Sequence, residues 1–257
     1  MVSDARTVLR EEISRYIEAY CSEKGMESLW GEPLVGFADA HDPGFPMLKV
    51  LVQDSHYLPD DILPGATIVV SYYLPFRERL ARDNMEGDVP ADSWGSAYVE
   101  TNFLSVGLSE HLASVVRSMG FEAEAPKDVR RTDGTIVSRW SQRHIARMAG
   151  LGTFGMNNMI ITDSGCCGRF YSIVTKLDVE PDPYVEGENC PFKVDGSCGA
   201  CMRRCVSGAL TPEGFDRHTC DGVGVGNSAR FSGVSVCGKC IVGMPCSYRN
   251  PRGGVKQ

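Results

Sequence analysis

The sequence predicts an α/β domain over residues 1–178, followed by a small, cysteine-rich, metal-binding domain over residues 179–257. Three observations predict it. Apolar segments of strand and helix character alternate between residues 30 and 177. Eight of the eleven cysteines fall between Cys190 and Cys246. An acidic stretch with Pro181 and Pro183, from Asp178 to Asn189, separates the two parts.

A chain of 257 residues, 42% apolar and 23% charged, has the composition of a globular protein with a sizeable core. The amino terminus runs directly into a charged amphipathic segment without an apolar signal core. No apolar run reaches bilayer length. The expectation is a cytoplasmic protein with no membrane partner. Eleven cysteines, an odd number, in such a chain favour metal ligation over a disulfide framework.

Along the α/β part, Leu9, Ile13, Tyr16, Ile17 and Tyr20 recur at helical spacing across residues 4–23. Leu34–Ala40 reads as a short buried strand, and Thr67–Tyr73 as the clearest strand of the chain. Residues 41–64 and the polar run Arg77–Ser96 read as irregular loops. A helix is expected from about Ala97 to Met119, stopped by Gly120. A strand follows near Phe121, then a polar loop, a helix from about Ser138 to Ala149, and strands at Met159–Thr162 and Phe170–Leu177.

Gly150, Gly152 and Gly155 spell G-x-G-x-x-G. A dinucleotide site needs a strand before these glycines and a helix after them. The order here is the reverse, so that reading is rejected. The glycines instead end a helix and permit close backbone approach to a bound cofactor.

The cysteines read Cys190-x7-Cys198-x2-Cys201-x3-Cys205, then Cys220, then Cys237-x2-Cys240-x5-Cys246. Apart from the widened first gap and Val206 in place of proline, the first group follows the ferredoxin run. In that run the fourth cysteine ligates the other cluster. Crossing the ligands accordingly gives two complete sets. Cys190, Cys198, Cys201 and Cys246 would hold one [4Fe-4S] cluster, and Cys205, Cys220, Cys237 and Cys240 the second. Two structural zinc sites are the alternative, although paired knuckles of close cysteines fit that spacing less well.

Residues 190–257 carry nine Lys/Arg and four Asp/Glu, whereas residues 1–189 carry seventeen and twenty-nine. Arg203, Arg204, Arg217 and Lys239 are expected to offset anionic clusters, with a basic docking face as the alternative. Cys166 and Cys167 are adjacent thiols, read as a packed pair, as extra ligands or as a redox pair beside a cofactor. Arg169 is a candidate contact for an anionic cofactor edge or substrate.

These segments resemble the epoxyqueuosine reductase family of iron–sulfur proteins and its reductive dehalogenase relatives. The resemblance is carried by Gly36–Ala40, Leu63–Ala66, the run Ala149–Gly155, the strand ending Ile173–Thr175, and the eight cysteines. It implies a nitroreductase-like α/β domain that holds a corrinoid (cobalamin), then a ferredoxin-like domain with two [4Fe-4S] clusters that reduce it. In the tRNA-modifying enzyme an acid upstream of the Ala-Gly-Leu-Gly helix acts as general acid. Counting back from Ala149 places Ile136 there, with Asp133 the nearest carboxylate. The chain also stops soon after Cys246, without that enzyme's helical-repeat extension. Both departures predict a substrate other than epoxyqueuosine tRNA.

The functional expectation is an oxidoreductase. Electrons from a low-potential donor pass through the clusters to a corrinoid or a small-molecule substrate. Asp133, His144, Tyr98 and Glu100 are proton-donor candidates, with Gly150, Gly152, Gly155 and Arg169 beside the cofactor. The competing reading is an electron carrier or reductive activator for a corrinoid-dependent partner protein.

Overall fold

The computed structural model describes residues 5–127 and 136–253. Helix α1 (Ala5–Lys24) buries Leu9, Ile13, Ile17 and Cys21, one residue per turn along a single stripe. Strand β1 (Leu34–Asp39) follows. Residues 41–64 are not the expected irregular loop. They contain α2 (Gly44–Leu51) and α3 (Pro59–Ile62), each too short to display a period in sequence. Strand β2 (Ile68–Pro75) is buried at all eight positions, which is why it reads as a continuous apolar run.

The expected polar loop Arg77–Ser96 is likewise helical at both ends. Helix α4 (Glu78–Asp83) buries Leu80 and Ala81, and α5 (Asp92–Ser118) starts five residues before the expected point with Trp94 buried. Tertiary burial of a few apolar residues outweighs a polar local composition here. Then come β3 (Ala123–Glu124), α6 (Gln142–Met148), the hairpin β4 (Thr153–Phe154) and β5 (Ile160–Ile161), and β6 (Gly168–Thr175).

The main sheet has the order β1-β2-β6-β3, and every pairing is antiparallel. Alternating helices and strands usually signal parallel crossovers. In this chain each long connection returns the next strand in the opposite sense. One face carries α1 and α5, with Leu104, Leu108 and Leu112 over Val70, Tyr72 and Ile173. The other carries α2 and α6, with Phe45, Ile145 and Met148 over Val69 and Val174. The fold is a mixed α/β arrangement.

Beyond the sheet lie α7 (Pro191–Asp195), α8 (Ala200–Arg204), the hairpin β7 (Leu210–Thr211) and β8 (Gly214–Phe215), and α9 (Arg217–Gly226). Helix α9 is capped by Asp216, whose side chain accepts from the His218 and Thr219 amides. The Asp178–Asn189 stretch is tied down. Asp182 pairs with Arg6 at 2.5 Å and accepts from the Phe37 amide at 2.8 Å. The cysteine-bearing segment packs on the start of α5. Trp94 meets Phe76 edge-on at 5.2 Å and lies against Gly238, and Phe231 covers Gly95. Among the described residues no helix is long and apolar enough to cross a membrane.

Candidate metal centre

Short turns position the cysteines. Cys190 caps α7 at its amino end, where Pro191 occupies the first helical position, and Gly196 in the left-handed conformation ends that helix. Cys201 lies within α8 and Cys205 caps its carboxyl end, one turn further on. Gly238, at φ 76°, turns the chain between Cys237 and Cys240.

Cys190, Cys198, Cys201 and Cys246 line one hollow with about 340 Å³ of atom-free space, counted to its open mouth. Burial and the neighbouring Cys246, Cys190 and Cys198 push the Cys201 thiol up to about 11. The remaining four cysteines are also mutual neighbours. Burial, then Cys237 and Cys205, raise the Cys220 thiol. Burial, then Cys237, Cys205 and Cys220, raise Cys240, which also feels Cys201 of the other group. The two sets are therefore adjacent.

The Cys205 thiol shifts down. Burial opposes ionisation there, but hydrogen bonds from Ser207 and from the backbone at Leu210, Ser207 and Ala209 outweigh it. Four thiolates side by side repel one another unless positive charge lies among them. Among the described residues no three His, Cys, Asp or Glu side chains converge tightly enough for a single metal ion.

Two contacts at Cys246 had no signal in the cysteine spacing. Cys166 Sγ lies 3.9 Å from Cys246 Sγ, and Asn157 Nδ2 reaches both sulfurs, at 3.5 and 4.0 Å. The contact with Cys166, followed by burial, raises the Cys246 thiol. Cys167 instead donates to the Ile241 carbonyl at 2.9 Å. Both adjacent thiols are fully buried, as in a packed pair, but only Cys166 faces a cluster-set cysteine.

Of the basic residues near the cysteines, Lys239 is 1% exposed. Its ammonium donates to the Asn84 and Glu86 carbonyls at 3.0 and 2.7 Å. Arg204 donates to the Met85 carbonyl at 2.5 Å. These two clamp the α4–α5 connection rather than forming a docking face.

The other expected site residues disperse. Asp133 lies outside the described residues. Glu100 bonds Tyr20 at 2.5 Å and pairs with Lys24, which commits its carboxylate elsewhere. His144 borders a second hollow, of about 550 Å³ to its mouth, with Phe154, Gly155, Asn158 and Phe215. Burial, then Arg143, His56 and Arg217, push its imidazole down to about 4. His144 is therefore neutral at pH 7 and unsuited to the role of imidazolium donor.

The glycines also differ from expectation. A Cβ on Gly150 would stand 2.5 Å from the Pro183 carbonyl, and one on Gly152 would strike that of Ile161. Their conformational freedom lets the chain approach its own backbone rather than a cofactor. Gly155 alone of the three borders both hollows. Arg169 lies on β6 with its guanidinium 3.8 Å from the Tyr98 ring centre.

No protein-family model matches the chain, and no curated protein matches its sequence. Solved structures do share its fold. A selenomethionine-labelled epoxyqueuosine reductase is 19% identical with a TM-score of 0.57, over 94% of this chain and 66% of that one. The Bacillus subtilis epoxyqueuosine reductase, with its catalytic loop swung out of the active site, is 18% identical with a TM-score of 0.59 over the same shares. A catabolic reductive dehalogenase is 16% identical with a TM-score of 0.59, over 84% of this chain and 30% of that one. The chain spans slightly under two thirds of the length of these two reductases, and under a third of the dehalogenase.

Proposed function

We infer that this chain is an iron–sulfur oxidoreductase that carries electrons through two [4Fe-4S] clusters to a small substrate held against the α/β part. The observation that carries this reading is the sorting of eight cysteines into two adjacent groups of four. One group walls a hollow and the other is mutually repelling. The donor set, all thiol, fits iron–sulfur ligation. The same division follows from crossing the ligands of a ferredoxin run. In this reading residues 1–178 and 179–257 are the substrate and cluster domains, and the clusters supply single electrons.

The chain's own residues do the rest. Cys190, Cys198, Cys201 and Cys246 would hold one cluster. Cys205, Cys220, Cys237 and Cys240 would hold the other, beside the Lys239 ammonium. Asn157 and Cys166 flank the Cys246 sulfur, and hydrogen bonds to ligand sulfurs raise a cluster's potential. His144 stays neutral and donates or accepts a hydrogen bond only.

Gly150 and Gly152, which the resemblance puts beside a corrinoid, abut the Pro183 and Ile161 backbone and give it no edge. Turnover of epoxyqueuosine tRNA is not part of this reading, because Ile136 cannot deliver a proton and His144 is neutral.

The test is anaerobic reconstitution with iron and sulfide, followed by metal analysis and electron paramagnetic resonance. About eight irons per chain and two reducible cluster signals are expected. Stoichiometric zinc with no bound iron would overturn the reading. Titration with cob(II)alamin should leave the cobalt spectrum unchanged.

A further inference from the structure

The loop of residues 163–167, which leads into β6, is pinned to the chain around Cys246. The Cys166 amide donates to the Cys246 carbonyl at 2.9 Å and to that of Ser247 at 3.2 Å. The Cys167 amide donates to the Ser247 carbonyl at 3.0 Å, and the Asn250 amide to that of Asp163 at 3.3 Å. Gly165 permits this closeness. Its φ is 78°, and a Cβ there would stand 2.4 Å from the Ser247 carbonyl oxygen.

This clamp sets the Cys166 sulfur 3.9 Å from that of Cys246, and Asn157 Nδ2 lies 3.5 and 4.0 Å from the two. A disulfide bond is about 2.05 Å long and spans Cα atoms about 4.4–6.8 Å apart. Main chains in direct hydrogen-bond contact reach that range; facing strand residues lie about 5.5 Å apart. The remaining approach falls to the two side chains. Cys167 is turned away, its thiol donating to the Ile241 carbonyl at 2.9 Å.

The two partners differ in access. Cys246 is half-buried and lines the open-mouthed hollow, whereas Cys166 is fully buried. A small oxidant therefore meets Cys246 first, with Cys166 held against its sulfur. That is the arrangement of an attacked thiol and a resolving thiol.

We propose that Cys166 and Cys246 form a reversible disulfide when the metal centre is lost, with Cys166 as the resolving thiol. The oxidant class is a peroxide. The Cys246 thiolate attacks a peroxide oxygen; an S–O bond forms, the O–O bond breaks, and hydroxide leaves. The Cys166 sulfur then attacks the resulting sulfenic sulfur. An S–S bond forms, the S–O bond breaks, and the hydroxyl departs with the Cys166 proton as water. The peroxide takes two electrons, and two thiols become one disulfide. The bridge spares Cys246 the sulfinic and sulfonic acids, which do not return to the thiol. A dithiol reductant reopens it by exchange and frees the fourth ligand position. The place of Cys246 as a ligand rests on the oxidoreductase reading; the bridge does not.

The experiment treats the anaerobic, iron-loaded chain with hydrogen peroxide until the visible absorbance of the centre is gone. Free thiols are trapped by alkylation under denaturing conditions, and disulfides are mapped by peptide mass spectrometry. A Cys166–Cys246 bridge is expected in most chains, and Cys167→Ala should leave it in place. Dithiothreitol followed by iron and sulfide should then restore about eight irons per chain. In Cys166→Ser the same treatment should leave Cys246 as the sulfinic or sulfonic acid and restore no more than about four irons. Wild-type Cys166 recovered alkylated, or joined to Cys167, overturns the proposal. So does a Cys166→Ser chain whose Cys246 escapes over-oxidation, because another thiol then resolves it. Iron content before peroxide tests the oxidoreductase reading separately: a chain that binds no iron yet forms the bridge overturns that reading alone.

Discussion

Gly238 joins the cysteine segment to the helical layer, and its replacement by alanine can be worked out in advance. Its φ is 76°, a region where an L side chain costs about 1 kcal/mol. An added Cβ would also lie 2.5–2.6 Å from the Trp94 indole, a side chain only 2% exposed and wedged against Phe76. Overpacking of this kind costs about 1–3 kcal/mol. Together the two amount to about 2–4 kcal/mol. For a chain of this size each kcal/mol lowers the melting temperature by roughly 2–4 °C, so Gly238→Ala should lose about 4–16 °C.

Gly196 is the matched control. Its φ is 73°, and an added Cβ meets nothing within 4 Å. Gly196→Ala should lose only about 2–4 °C, from the backbone contribution alone. The assay is an anaerobic thermal melt of the iron-loaded proteins. Equal losses in the two variants would refute the claim that Trp94 packing closes this seam.

Three further outcomes are expected. Cys205→Ala should lower the iron content from about eight to about four per chain and leave the Cys190, Cys198, Cys201 and Cys246 signal in place; loss of that signal would break the crossed assignment. Lys239→Met should cost about 2–4 kcal/mol by stripping the Asn84 and Glu86 carbonyls of a cationic donor. Anaerobic urea titration measures this, and an unchanged midpoint would contradict it. His144, held down to about 4, leaves the unfolded chain to take the proton first. Its contribution is therefore complete above about pH 6.5 and is lost as pH falls toward 4, by about 3 kcal/mol. Burial also lowers His56, whose ring Nε2 accepts from the Ser141 amide, a bond that protonation breaks. His144→Gln should flatten the stability profile between pH 6.5 and 4.5, and a slope identical to wild type would remove His144 as its source.

The sequence by itself determined the elements whose cause is local. Strand β2 was legible because burial on both faces demands an uninterrupted apolar run. Helix α1 was legible because one face meets the core at every turn. The helix-before-strand order around Gly150 and Gly152 was equally plain, and it removed the dinucleotide reading. The expected division of the cysteines came from crossing the ligands as a ferredoxin run does, and a two-residue gap brings Cys198 to Cys201 and Cys237 to Cys240 through a single turn.

Tertiary structure decided whatever depends on partners far along the chain. Helices α2, α3 and α4 are too short to carry a period, and they form because Phe45, Leu48 and Leu80 find a core to enter. The glycines of the Ala149–Gly155 run could not reveal that Pro183 and Ile161 would occupy the space above them. The approach of Cys166 to Cys246, 80 residues apart, has no trace in sequence. Spacing encodes contacts made within a turn or two; contacts between distant segments exist only once the sheet has brought α5, α6 and β6 together.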